Sequence, residues 1–335
     1  MLKSLRIWLR LSVLAATLLV QANAQNTTHA FLWSLKTGMQ DLGTLGGSSN
    51  AYGINNTGQV VGSYESGNTL RAFIWTKSGG MKDLGTLGGD YTAASGINSA
   101  GQVVGAASTA SGNVHAFLWT AASGMQDLGT LGGTFSAAAA INDRGDMTGT
   151  SSRSGDIRYV AYLQTPGKHM LGLGTLGSQY SYGYAINAAA TVVGASPLNK
   201  TLTPNHAFIR RKGSKLADLG TLGGDDSTAL GINQSEQVVG WSSYSGAYPP
   251  EAFLWTAALG MQDLGNLGGV TSGAQAINRQ GLIVGFSDLS QMGVTHAVLW
   301  TAPNKITDLG TLGGTYAVAK GINDRGQVVG WSTLK

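Results

Sequence analysis

One unit is written seven times along this chain, and that repetition constrains its fold more than any other feature. The unit reads A-x-G-I-N-x-x-G-Q-V-V-G-x-S, a variable loop, H-A-F-L-W, a short turn, then M-x-D-L-G-T-L-G-G. Its Ile-Asn pair recurs from Ile54-Asn55 to Ile322-Asn323, and the alanine of H-A-F from Ala30 to Ala297. Successive alanines lie 42, 44, 45, 46, 45 and 45 residues apart. A repeat this short cannot bury its apolar faces alone, so neighbouring units must cover one another.

Each unit holds four short strand candidates: A-x-G-I, the β-branched Val-Val pair, H-A-F-L-W and M-x-D-L. Tight turns separate them. Asn55-Asn56-Thr57-Gly58 predicts a hairpin in which Asn bonds its own backbone and Gly takes the left-handed position. Ala190 and Glu236 replace that glycine in two copies, which predicts strained or altered turns there. The H-A-F-L-W strand is continuously apolar, as expected for a sheet covered on both faces rather than one. Four-stranded units of this length suit an all-β, seven-bladed β-propeller of antiparallel blades; a β-solenoid is the alternative. Small residues at Ala51, Ala94, Ala138, Gly183, Ala229, Ala274 and Ala319 place A-x-G-I at the crowded axis. The seventh blade then takes two strands from each end of the repeat array, so pairing of N- and C-terminal strands closes the ring. The opposite phase, with H-A-F innermost, closes without such interlocking.

The three linked motifs closely resemble the HAF-repeat family of probable extracellular repeat proteins: His29–Trp33, Asp41–Gly47 and Gly53–Gly62. The resemblance covers nearly all of the chain after residue 24. It implies export and a repeat architecture, and no established reaction. The third copy departs most, with Val160-Ala161-Tyr162 for H-A-F and Gly172 for the aspartate.

Export is also expected from the N-terminus. Lys3, Arg6 and Arg10 precede an apolar run from Leu11 to Val20 and an Ala22-Asn23-Ala24 cleavage pattern. Residues 1–24 therefore read as a signal peptide, with an uncleaved anchor as the alternative, and residues 25–335 as a single domain. Removing the leader's three positives lowers the formal charge from +4 to +1. Nucleic acid is not an expected partner at that charge, and no membrane span is expected after cleavage. With 0 cysteines, disulfides and thiolate metal sites are excluded, so the core must hold the fold.

Candidate chemistry is sparse. His29, His115, His206 and His296 share one repeat position, but on a third strand about 10 Å outside the inner strand they lie too far apart to share a metal. The D-L-G aspartates read as loop caps. Asp225-Asp226 is the one adjacent acidic couple, and neighbouring residues on a strand face apart. No nucleophile elbow, P-loop, zinc-protease helix or calcium loop occurs, so no cofactor, metal or catalytic residue is assigned. Variable loops lie between V-V-G and H-A-F, and aromatics (Tyr91, Phe135, Tyr180, Tyr316) stand at the entry to inner strands. With Asp90, Asp225 and Asp226 they form the candidate ligand-binding set. The expected function is an exported binding module for an extracellular glycan or protein. An exported hydrolase or lyase with an axial site, and a purely structural surface protein, are the alternatives.

Overall fold

The computed structural model describes residues 27–200, 203–245 and 250–335. The leader expected at residues 1–24 lies outside them. Among the described residues the secondary structure consists of strands, in successive sets of four. The first complete set comprises Ser49–Ile54, Val60–Ser66, Thr69–Thr76 and Gly80–Asp83, each antiparallel to the next. The same order repeats along the chain, giving an all-β, propeller-like arrangement. One set is assembled from both ends. Gly313–Ile322 pairs with Val328–Leu334, which pairs with Thr28–Ser34 in the register Phe31↔Gly330 and Leu32↔Val329, and Gly38–Asp41 completes the set.

The A-x-G-I strands touch one another across sets. A Cβ on Gly53 would sit 3.4 Å from Gly96 Cα, one on Gly96 would sit 3.4 Å from Ala140 Cα, and one on Gly321 would sit 3.6 Å from Gly53 Cα. At their ends, a side-chain amide of each Asn donates to the backbone carbonyl of the next. Asn55 donates to Asn98, Asn98 to Asn142, Asn142 to Asn187 and Asn187 to Asn233. Asn233 then donates to Asn278, Asn278 to Asn323, and Asn323 back to Asn55. The circuit returns to its first member.

Packing explains the rest of the consensus. The glycine of V-V-G, at Gly105 for example, lies under the neighbouring inner strand, and a Cβ there would collide with the carbonyl of Ala93. Apolar side chains of consecutive sets share one cluster: Val61, Ala72 and Leu84 meet Ala94, Ile97 and Phe117. Phe31, Phe73, Phe117, Phe208 and Phe253 are wholly buried, each contributing about 1.5–3 kcal/mol. Trp119 and Ile74 of the preceding set both pack against this shared cluster.

Three equivalent hairpin positions show how these turns tolerate substitution. Gly58 N–H donates to Asn55 O at 3.0 Å, with Gly58 at φ 85°. Ala190 and Glu236 keep the same hydrogen bond and the same left-handed backbone, at φ 58° and 56°. These turns are therefore strained rather than reshaped. Each carries an offset: the Ala190 methyl packs with Ile186, Val192 and Phe208, and Glu236 pairs with Arg211 at 2.7 Å. Gly58 has no such offset, since a Cβ there would meet only Gln327 Oε1, at 3.7 Å. Gly58→Ala should therefore cost about 1–2 kcal/mol, read as a lower urea midpoint at unchanged slope.

Candidate functional site

Strand direction separates two faces. Each inner strand runs from the D-L-G-T-L-G-G link to the Asn hairpin, so the links and the variable loops share one face and the hairpins occupy the other.

The hairpin face is locked by its own polar groups. Asp143 accepts from Ser99 N–H at 2.9 Å, Asp324 from Arg279 N–H at 3.0 Å, and Asn56 and Asp324 exchange two hydrogen bonds. The cavity there is about 180 Å³ and is rimmed by the Asn residues and by Ile54, Ile97 and Ile277. Its carboxylates already have partners, which leaves little free chemistry on this side.

On the opposite face, histidine and aspartate of one set pair with each other. His29 Nδ1 lies 2.7 Å from Asp41, His115 2.8 Å from Asp127, His206 2.9 Å from Asp218 and His296 2.8 Å from Asp308. Each aspartate also accepts the amide two residues on, such as Gly43 N–H to Asp41 at 2.7 Å. It thus caps the loop as expected, through the glycine rather than the threonine. Burial opposes ionisation of Asp218, but His206 and the Gly220 amide outweigh it and hold the carboxyl below its usual range. Arg71 replaces histidine in one set and forms a forked contact with Asp83, at 3.0 and 3.1 Å, joined by the Tyr64 hydroxyl at 2.7 Å. The third copy loses both partners together, and Arg153 Nη2 comes within 2.7 Å of where a Cβ on Gly172 would stand.

Glu251 breaks this rule, because it places a carboxylate in the same set as Asp263. It turns to Ser272 Oγ at 2.7 Å and to Asn266 Nδ2 at 3.3 Å. Asn266 stands where the consensus has threonine, so the two departures fit each other. Burial is the main reason the Glu251 carboxyl is raised; Ser272 and Asn266 counter it, and the charges of Asp263 and Asp288 add to it. Among the described residues no three His, Asp or Glu side chains are grouped to hold a metal ion, and no helix is long and apolar enough to cross a membrane.

The aromatics expected at the strand entries lie on this face, in three groups. Phe135 meets Tyr159 edge-on at 5.8 Å, and Tyr159 stacks on Tyr180 at 6.4 Å. Tyr316 stacks on Trp331 at 5.3 Å. Tyr91 is half-buried, and burial, with Tyr52 nearby, pushes its phenol up to about 12. Asp90 and Asp225 are exposed. Asp226 is buried, and its carboxylate accepts from the Asn205 amide at 2.8 Å, which ties the variable loop to the strand entry. Its contacts are those of a loop anchor.

Sequence reasoning missed one set of residues on the inner strands. Every inner strand skips one residue in its pairing with the next strand. The skipped residues are Tyr52, Ser95, Ala139, Tyr184, Leu230, Gln275 and Lys320. A bulged residue is released from the ladder and re-aimed, and all seven are half-buried, each following a fully buried residue. Lys320 Nζ donates to Gln275 Oε1 at 3.0 Å, directly linking two of them. The signal was present as the x of A-x-G-I: one unconstrained position inside a constrained motif. Burial raises the phenols of Tyr52 and Tyr184 above their ordinary range.

No protein-family model matches the chain, and no curated protein matches it. Among solved structures, the acylaminoacyl peptidase of Pyrococcus horikoshii aligns with a TM-score of 0.51 at 9% identity, over 80% of this chain and 48% of that one. The chain therefore spans about half the length of that peptidase. TolB from Acinetobacter baumannii aligns at 0.43 and 10% identity, over 83% and 62% of the two chains. A gluconolactonase from Xanthomonas campestris aligns at 0.44 and 12% identity, over 82% and 94%. At such identity, the likeness to the peptidase concerns the fold alone.

Proposed function

We propose that this chain is an exported, seven-bladed β-propeller, closed head to tail, that binds a glycan or a protein through the aromatic face around its axis. The circuit of asparagine bonds and the strand pairing of the two ends support the closed seven-bladed form. The motif resemblance to HAF-repeat proteins and the N-terminal leader pattern support export. The observation that carries the binding reading is the gathering of tyrosines where links enter the inner strands, with Tyr52 and Tyr184 set deeper. Tyrosine offers a flat apolar face and a polar tip, a combination suited to sugar rings and peptide groups. The carboxylates of the hairpin face are spent on internal bonds, so that face offers no comparable surface.

A glycan and peptide array probed with residues 25–335 tests this reading. Tyr91→Ala and Tyr316→Ala should each weaken binding about tenfold, the loss of roughly 1.4 kcal/mol. Equal binding by all three proteins removes the aromatic face as the site. Thermal melts of the variants separate lost contact from lost packing, because Tyr316 also supports Trp331.

A further inference from the structure

The axis is neither uniform nor neutral. Five of the seven bulge positions carry polar groups: Tyr52, Ser95, Tyr184, Gln275 and Lys320. Ala139 and Leu230 show that the fold requires neither polarity nor charge there. A lysine at this position therefore needs a reason beyond architecture. Burying an ammonium group without a counter-charge is unfavourable, yet none of the ion pairs among the described residues includes Lys320. Asp288, the acid near Tyr316, is occupied by the hydroxyls of Thr271 at 2.5 Å and Thr295 at 2.6 Å. The contact to Gln275 uses one of the three ammonium protons. Lys320 makes no other hydrogen bond among the described residues.

We infer that Lys320 is an anion-binding residue at the propeller axis, which receives the carboxylate of an acidic sugar entering from the aromatic face. The inference rests on the binding role proposed above and adds the chemical class of ligand. An acidic sugar suits the position better than an acidic peptide, because the surrounding groups are single hydroxyls and an amide that match a polyhydroxylated ring. No second cation stands in the ring of bulge residues to meet a run of acidic side chains. Burial lowers the Lys320 ammonium to about 8, which leaves it charged at neutral pH and poorly compensated until an anion arrives.

Calorimetry with an oligoglucuronate, and with the same oligosaccharide after reduction of its carboxyls to alcohols, tests the inference. The wild-type chain should bind the acidic form at least tenfold more tightly than the reduced one. Lys320→Met keeps the length of the side chain and removes the charge; it should lose that preference while binding the reduced form unchanged. Lys320→Arg should retain part of it. A wild-type chain without preference, or a Lys320→Met variant that keeps it, overturns the assignment. Tyr91→Ala should weaken both forms alike, so failure of the aromatic-face reading is distinguishable from failure of the lysine's role. A second readout is the 13Cε resonance of Lys320, assigned by its absence in Lys320→Met. Glucuronate should shift it saturably and glucose should not. A shift with a glutamate-rich peptide in place of glucuronate overturns the sugar in favour of a protein ligand, and a shift with neither overturns the site.

Discussion

Deletion of residues 321–335 is expected to abolish the cooperative melt of the entire chain, not only of the set that loses a strand. The deletion removes Val328 and Val329, which are fully buried, and Trp331, which is 3% exposed. Each contributes about 1.5–3 kcal/mol. It also strips the pairing partner from Thr28–Ser34 on one side and from Gly313–Ile322 on the other. Phe31, Ala30, Ala317 and Ala319, all fully buried, then face water. The circuit of asparagines opens as well, since Asn323 both receives from Asn278 and donates to Asn55. These losses together rival the roughly 5–15 kcal/mol by which a domain of ordinary stability is folded. The damage spreads because no set owns a core: each apolar cluster is shared between neighbours. Calorimetry of residues 25–320 against residues 25–335 measures it. A single sharp transition within a few degrees of the longer chain contradicts interlocking ends.

The parts of this architecture that were legible in the sequence are those governed by local chemistry. Asn55-Asn56-Thr57-Gly58 announces its hairpin because Asn and Gly act on their own backbone. The continuous apolar run of His29–Trp33 announces a strand covered on both faces, because nothing else makes such a run soluble. What sequence could not supply were contacts set by geometry between strands. The pairing of His29 with Asp41 follows from the antiparallel register of adjacent strands, in which Phe31 stands opposite Asp41. The conjoint loss of both partners at Val160 and Gly172 was its trace. Asp226 reads from sequence as a free acid, yet the hydrogen bond it accepts from the Asn205 backbone amide makes it an anchor. The bulge that frees Lys320 to meet Gln275 depends on a one-residue slip in the ladder, and residue type does not reveal a slip.

The asparagine circuit should prove intolerant of a change that alters a single atom. Asn98 is 3% exposed. Its Oδ1 accepts from Ala100 N–H at 3.1 Å and Gln102 N–H at 3.0 Å, and its Nδ2 donates to Asn142 O at 3.1 Å and Gln102 Oε1 at 2.7 Å. Asn98→Asp preserves the two accepted bonds that form the hairpin. It replaces both donated bonds with an anionic oxygen facing a carbonyl. The Gln102 amide can turn and donate instead, but the Asn142 carbonyl is backbone and cannot. The expected cost at pH 7.5 is about 3–5 kcal/mol, the range for a buried charge left without its partner. The sign of the pH dependence then follows. Burial raises the introduced carboxyl above its unfolded value of about 3.9. Between the two values the folded chain holds a proton that the unfolded chain has released, so folding becomes more favourable as pH falls. The protonated acid can also donate to Asn142 O. Measured by urea unfolding, the deficit of Asn98→Asp relative to the unsubstituted chain should therefore shrink between pH 7.5 and pH 4.5. Asn98→Ala, which has nothing to titrate, should keep a constant deficit of about 2–4 kcal/mol from its unsatisfied backbone groups. Parallel behaviour of the two variants across that range would mean that the amide proton carries no inter-set bond at Asn98, and the circuit would lose its energetic role in joining successive sets.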